Sequence, residues 1–301
     1  MTAGPQKSRR RPPAALTRTE LRTDVATGAR TYIVASRQAR PNLPDATCPF
    51  CPGGLEAPES YDVRWFVNRW PAMPDGRCEV ILYTPDHDAT LWSLGVDGVR
   101  KVIDLWAERS ERLGARDDVS YVLVFENRGA EVGATITHPH GQIYAFDFVP
   151  DAPLRELERG SPFGDADERL VATSDGWRAW VPEAPVFPFA LLLVPDEPVP
   201  DLPSLGDAGR RGLAEILVDV LGRLDRMFDA QTPYMLWIHQ RPFDGREWPG
   251  ARLHVEIVSP WRAPNVPRYI AAGELGSGVY FNPVAPEAAA ASLREAAASR
   301  R

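Results

Sequence analysis

Cysteine and histidine are scarce in this sequence. Three cysteines among 301 residues argue against the disulfide framework that staples small secreted domains. No run of 18 apolar residues occurs, and no apolar stretch follows the first basic residues. Neither a membrane span nor a secretory leader is therefore expected. Positive charge is also in deficit: 34 Lys and Arg stand against 41 Asp and Glu, giving a net charge of −7. A protein that coats nucleic acid carries the opposite balance, so nucleic acid is not an expected partner. Small phosphorylated ligands stay open, because they need positive charge only locally. A cytoplasmic protein is the expectation.

The composition is otherwise that of a globular chain, 44% apolar and 25% charged, and long enough to bury a sizeable core. Thirty prolines imply many loops and turns. Residues 1–15 are polar and basic, with Arg9, Arg10 and Arg11 in a row, and are expected to form a disordered tail.

Two of only five histidines fall in Thr137-His138-Pro139-His140-Gly141-Gln142-Ile143-Tyr144. On a strand, residues two apart point the same way. Apolar residues follow, so one extended segment carrying both imidazoles is the expectation. Pro139 suits a strand start or an edge. Gly141 leaves room for something bulky to approach the backbone. The plainer alternative is two ordinary histidines, and their scarcity elsewhere weighs against it.

Cys48-Pro49-Phe50-Cys51-Pro52-Gly53-Gly54 reads as a metal knuckle, since thiolates at this spacing reach one Zn²⁺. A redox dithiol would sit at a helix start, which Pro52-Gly53-Gly54 prevents. One such pair cannot close a tetrahedral site, so two further ligands are required. The alternative is a reduced pair that binds nothing. Arg37 and Arg40 are placed to grip a phosphate, although most such pairs are simply solvated.

Strands are expected near 31–35, 63–68, 78–83 and 121–125, and an amphipathic helix over 94–113. The second half repeats the plan. A strand at 189–194 precedes a helix with Leu213, Ile216, Leu217, Val220, Leu221, Leu224 and Phe228 on its apolar side. Tyr234–Arg241 then mirrors Tyr121–Arg128, and Arg252-Leu253-His254 sits where His138-Pro139-His140 sits. A terminal helix is expected after Pro286. The expected fold is α+β: tandem duplicated units, residues 16–160 and 161–301, joined into one mostly antiparallel sheet flanked by helices.

The histidine motif resembles that of the galactose-1-phosphate uridylyltransferases of the histidine-triad superfamily. Arg37-Gln38-Ala39-Arg40-Pro41, the cysteine knuckle, Asn68, Pro85-Asp86-His87, Phe125-Glu126-Asn127-Arg128-Gly129, Leu253-His254-Val255-Glu256 and Ala272–Gly278 fall in the family's order. The resemblance implies ping-pong transfer of UMP from UDP-glucose to galactose 1-phosphate, with His140 as nucleophile. Gln142 stands where the superfamily's hydrolases carry a third histidine. Its amide bonds a phosphoryl oxygen but delivers no proton, which favours transfer over hydrolysis. By the same resemblance Arg37, Arg40 and Asn127 contact phosphates, and Thr135 lies near the sugar phosphate. Phe50 and Asn68 lie near the uridine. Glu274 binds the hexose across a homodimer interface, and Arg268 falls where a basic residue of that same segment is expected. Zinc is implied at Cys48, Cys51, His87 and His138. Glu156, His239, His254 and Glu256 match a second site for iron or zinc, with Glu256 in place of a histidine; a metal-free hydrogen-bonded cluster is the alternative there. Rival functions are a related enzyme acting on ADP-glucose, a nucleotide hydrolase and a non-catalytic nucleotide-sugar sensor.

Overall fold

The computed structural model describes residues 19–39, 47–161, 163–164 and 166–298. The expected tail and Arg40 lie outside them. A hairpin opens the chain, β1 (Thr19–Thr23) and β2 (Arg30–Val34), and leads into a 3₁₀ turn at Ala35–Ala39. Strands β3 (Arg64–Val67) and β4 (Cys78–Leu82), helix α1 (Gly95–Gly114), strands β5 (Tyr121–Arg128) and β6 (His140–Phe146) and helix α2 (Asp151–Glu158) follow. Next come β7 (Leu170–Ser174), β8 (Trp177–Trp180), β9 (Leu191–Pro195), α3 (Asp207–Phe228), β10 (Tyr234–His239) and β11 (His254–Val258). A small ribbon, β12 (Trp261–Ala263) and β13 (Val266–Pro267), precedes α4 (Ala272–Ser277) and α5 (Pro286–Ala298).

Nine strands form one antiparallel sheet in the order β3-β4-β6-β5-β10-β11-β9-β8-β7. The duplication is visible in that order. From the β5–β10 seam, β6, β4 and β3 run out on one side, and β11, β9 and β8 on the other. Helices α1 and α3 pack on each other, and α1 lies against β5. They do so because their apolar residues recur at helical spacing: Val99, Val102, Ile103 and Trp106 on α1, Leu213, Leu217, Val220 and Leu224 on α3, all fully buried. Each such side chain stabilises the fold by ~1.5–3 kcal/mol.

Strand β6 alternates as period 2 requires: Gly141, Ile143 and Ala145 are buried beneath the helices, while His140, Gln142 and Tyr144 stand on the opposite, open face. It begins at His140, so the two histidines do not share a strand as the pattern predicts. The bend at His138 has a physical cause. Pro139 has no N–H to give a ladder, its carbonyl accepts from Tyr83 N at 3.3 Å, and the His138 carbonyl is taken by the His140 ring. The mirror of Tyr121–Arg128 in Tyr234–Arg241 also shifts by one residue. Phe125 pairs with Gln142 and Trp237 with Glu256, so Asn127 corresponds to His239. Matching similar letters puts Phe125 opposite Ile238, which faces the helices; alternation forbids that.

Candidate active site and metal clusters

His140 opens β6, and its Nδ1 lies 2.8 Å from the His138 carbonyl. Only a protonated Nδ1 bonds a carbonyl, so the lone pair is on Nε2. The Phe50 ring meets the His140 ring edge-on at 5.1 Å between centroids, and Phe50 itself is buried. Two residues on, the Gln142 amide oxygen accepts from Asn68 Nδ2 at 3.3 Å. Asn127 lies on the same open face, on the neighbouring strand β5 and beside Met235 of β10. Four predicted residues therefore gather about His140: Phe50, Asn68, Asn127 and Gln142. Arg37 is half-buried in the 3₁₀ turn, and its charge reaches Cys78 at the far end of β4. Thr135 is half-buried in the loop that enters the motif.

The helix side of the strand, by contrast, is closed. A Cβ on Gly141 would stand 2.2 Å from the Tyr83 hydroxyl oxygen. The bulky neighbour expected from the glycine is thus a phenol pressed on the back of the strand.

Cys48, Cys51, His87 and His138 converge, with one donor atom from each within 4.8 Å of the others. Cys51 Sγ is 3.5 Å from His87 Nδ1 and 3.6 Å from His138 Nδ1. Zn–S bonds of ~2.3 Å and Zn–N bonds of ~2.0–2.1 Å at the tetrahedral angle put S and N about 3.6 Å apart, so the spacing fits. The far nitrogens are also held. His138 Nε2 is 2.8 Å from the Thr84 carbonyl and 2.9 Å from the Tyr61 hydroxyl, and His87 Nε2 is 3.1 Å from Thr137 Oγ1. Such outer partners fix the tautomer that presents Nδ1 to a metal. Burial, then the Cys48 thiol beside it, pushes the Cys51 thiol up; a dication would reverse this.

Glu156, His239, His254 and Glu256 form the second cluster. Glu156 Oε2 is 2.7 Å from His239 Nδ1 and 3.3 Å from His254 Nε2. Glu256 Oε1 stands 3.7 and 3.9 Å from the same nitrogens and accepts from Trp237 Nε1 at 2.9 Å. Burial raises the Glu156 carboxyl, but hydrogen bonds from His239 and His254, and then their charge, outweigh it and bring it down to about 2. His254 Nδ1 lies 2.9 Å from the Arg252 carbonyl, the same bond that His140 makes two residues back. A cavity of about 430 Å³ between α2 and the open face is lined by Glu156, His239 and Glu256 and gives an ion a way in. Glu156 lies in the last turn of α2, which closes just beyond it at Gly160 with φ +75°. The donor set fits a divalent ion, and its two carboxylates shift the preference toward a harder one.

Arg268 and Glu274 do not join the histidine site. Both are buried, and they form an ion pair with each other. Glu274 further accepts from the backbone N–H groups of Ala271 and Phe281 at 2.9 Å each. Sequence reasoning missed Tyr61, Tyr83, Thr137 and Trp237. Only Thr137, adjoining the motif, carried a signal; the others are brought in by tertiary packing.

The family model described as galactose-1-phosphate uridyl transferase, N-terminal domain, matches residues 67–150, and that of the C-terminal domain matches 139–298. A galactose-1-phosphate uridylyltransferase of Thermotoga maritima is 34% identical over 92% of this chain and 98% of its own. The chain belongs to the galactose-1-phosphate uridylyltransferase family. A Streptomyces lividans relative of the same description is 35% identical over 94% of this chain and 88% of its own. Among solved structures, a uridylyltransferase superposes with a TM-score of 0.82, at 27% identity over 92% of this chain and 98% of that one. An ADP-glucose phosphorylase from Arabidopsis thaliana, with bound ADP-glucose, shares the fold at a TM-score of 0.74 and 23% identity, over 92% of this chain and 98% of that one. Among the described residues, no helix is long and apolar enough to cross a membrane.

Proposed function

We propose that the protein is a nucleotidyltransferase that moves UMP from UDP-glucose to a hexose 1-phosphate, galactose 1-phosphate being the acceptor, through a uridylyl–His140 intermediate. The observation that carries this reading is the His140 Nδ1 bond to the His138 carbonyl, which keeps the Nε2 lone pair for attack. Nε2 forms a bond to the α-phosphorus, and the bond to the β-phosphate oxygen breaks, releasing glucose 1-phosphate. The phosphate oxygen of the acceptor then attacks the same phosphorus and frees the imidazole. A sugar phosphate leaves without a general acid, so the work is positioning and charge stabilisation.

Gln142, steadied by Asn68, donates its amide N–H to a phosphoryl oxygen of the adduct. Arg37, Arg40 and Asn127 contact phosphates, Thr135 the sugar phosphate, and Phe50 and Asn68 the uridine side. Zinc is the proposed occupant of Cys48, Cys51, His87 and His138, bracing His138 and so the carbonyl that orients His140. An iron or zinc ion, or a harder divalent ion, is proposed for the second cluster. The boundary between the repeats is proposed near residue 160. Exposed Tyr269, Leu275, Val279 and Phe281 surround the Arg268–Glu274 pair and support a homodimer in which that segment reaches the partner's hexose. Three cysteines, none of them in a disulfide, support a cytoplasmic setting.

The test is mass spectrometry after mixing with UDP-glucose alone. A UMP adduct on His140 is expected, with ADP-glucose giving little. Labelling by ADP-glucose in preference to UDP-glucose would favour a related enzyme acting on ADP-glucose, and no adduct from either would remove the covalent mechanism.

A further inference from the structure

Behind the nucleophile strand lies a buried carboxylic acid that the proposed chemistry does not use. Glu126, on β5, is 3% exposed and faces the helices between two phenols. The Tyr234 hydroxyl donates to its Oε1 at 2.7 Å. On the other side stands Tyr83. Among the described residues, the Tyr83 hydroxyl and Glu126 Oε2 have no hydrogen bond of good geometry, yet each influences the other's ionisation. Tyr83 touches the motif twice. Its backbone N–H donates to the Pro139 carbonyl, one residue before His140. Its hydroxyl presses on Gly141, one residue after.

We propose that Glu126 is a positioning residue: through the Tyr83 phenol it sets the height of Gly141, and hence where the His140 ring stands on the open face. This rests on His140 being the nucleophile. The bond available to Tyr83 depends on the state of the carboxyl. A carboxylate only accepts, so the phenol must turn its proton toward Glu126; a carboxylic acid donates, so the phenol becomes the acceptor. Burial raises the Glu126 carboxyl to about 7, against the opposing pull of Tyr234, Arg128 and Tyr83. Those are the groups that face it, with Asp225 of α3 behind Arg128. The switch between the two bond directions therefore falls near neutrality.

The experiment is the rate at which UDP-glucose alone labels His140, followed by rapid quench between about pH 5.5 and 8.5. Wild-type protein, E126Q, E126L and Y83F are compared, with folding checked by circular dichroism. E126L and Y83F are expected to label ~10–100-fold more slowly, with KM for UDP-glucose held within about two-fold. E126Q recovers most of the rate lost in E126L, since its amide keeps the shape and the donor, but the ionisation near neutrality disappears from its pH profile. Folded E126L and Y83F that label at the wild-type rate, or an E126Q profile superimposable on wild type, overturn the proposal. If E126L does not fold, Y83F and the E126Q profile decide alone. Wild-type protein that forms no adduct overturns the reading of His140, and this proposal with it.

Discussion

Gly141→Ala tests how tightly the strand is held from behind. The new methyl carbon would lie 2.2 Å from Tyr83 Oη, 3.0 Å from Tyr83 Cζ and 3.2 Å from the Phe125 carbonyl oxygen. An ordinary carbon–oxygen contact is over 3 Å, so the overlap with the hydroxyl is about 1 Å. Tyr83 is wedged against Trp106, with ring centroids at 5.8 Å, and is 2% exposed, so it cannot swing out to water. Overpacking of this kind costs ~1–3 kcal/mol, and the upper end is expected here. Tyr83→Phe removes the oxygen that clashes most. In the double variant the Cζ and carbonyl contacts remain tight, so the recovery is partial, about 1–2 kcal/mol of coupling. Urea denaturation of the four proteins measures it directly. The labelling rate of His140 should fall with Gly141→Ala, and the second change, which itself slows labelling, should restore part of the stability without restoring that rate. Costs that add to within ~0.3–0.5 kcal/mol, or a Gly141→Ala protein as stable as wild type, would refute the argument.

The Cys51→Ser variant, or a strong chelator, should remove the zinc proposed for the first cluster. Zinc binding of this type couples to folding by several kcal/mol or more, so a lower Tm and a lost equivalent of zinc by elemental analysis are expected. Glu126→Gln should flatten stability against pH. The folded carboxyl is raised to about 7 from 4.5, so both states are protonated below about 4.5. Stability then falls as pH rises to about 7, by about 3 kcal/mol at order-of-magnitude precision; denaturant midpoints across that window measure the slope. Gln142→His supplies a proton donor beside the adduct, and release of free UMP in the absence of acceptor should rise. Glu256→His should move the second cluster toward softer ions, read as a higher zinc-to-manganese ratio in metal competition.

Much of the fold was legible because period and motif agree. The apolar spacing of α1 and α3 and the duplication follow from residue types at fixed intervals, as does the Cys48–Cys51 pair; the remaining members of the two ligand clusters were implied by the family resemblance alone. Register was not legible: similar letters in Tyr121–Arg128 and Tyr234–Arg241 suggest one alignment, and the sheet, which must keep one face dry, imposes another. Nor was the break at Pro139. The packing partners Tyr61 and Tyr83 left no local trace, because only chain folding brings them to His138 and Gly141. Arg268 and Glu274 were located in sequence, but their charges cancel within this chain, a pairing that spacing alone does not reveal.

The seam between β5 and β10 has a further consequence. Each half alone would present that strand with its hydrogen-bonding edge bare, and the simplest way to cover it is a second identical half. Covalent linkage replaces that self-association and frees the two copies to diverge. One carries an amide beside its imidazole, as suits the nucleotide carrier proposed there; the other, with its imidazole clamped by the equivalent carbonyl, carries acids instead, as suits the cation proposed for it.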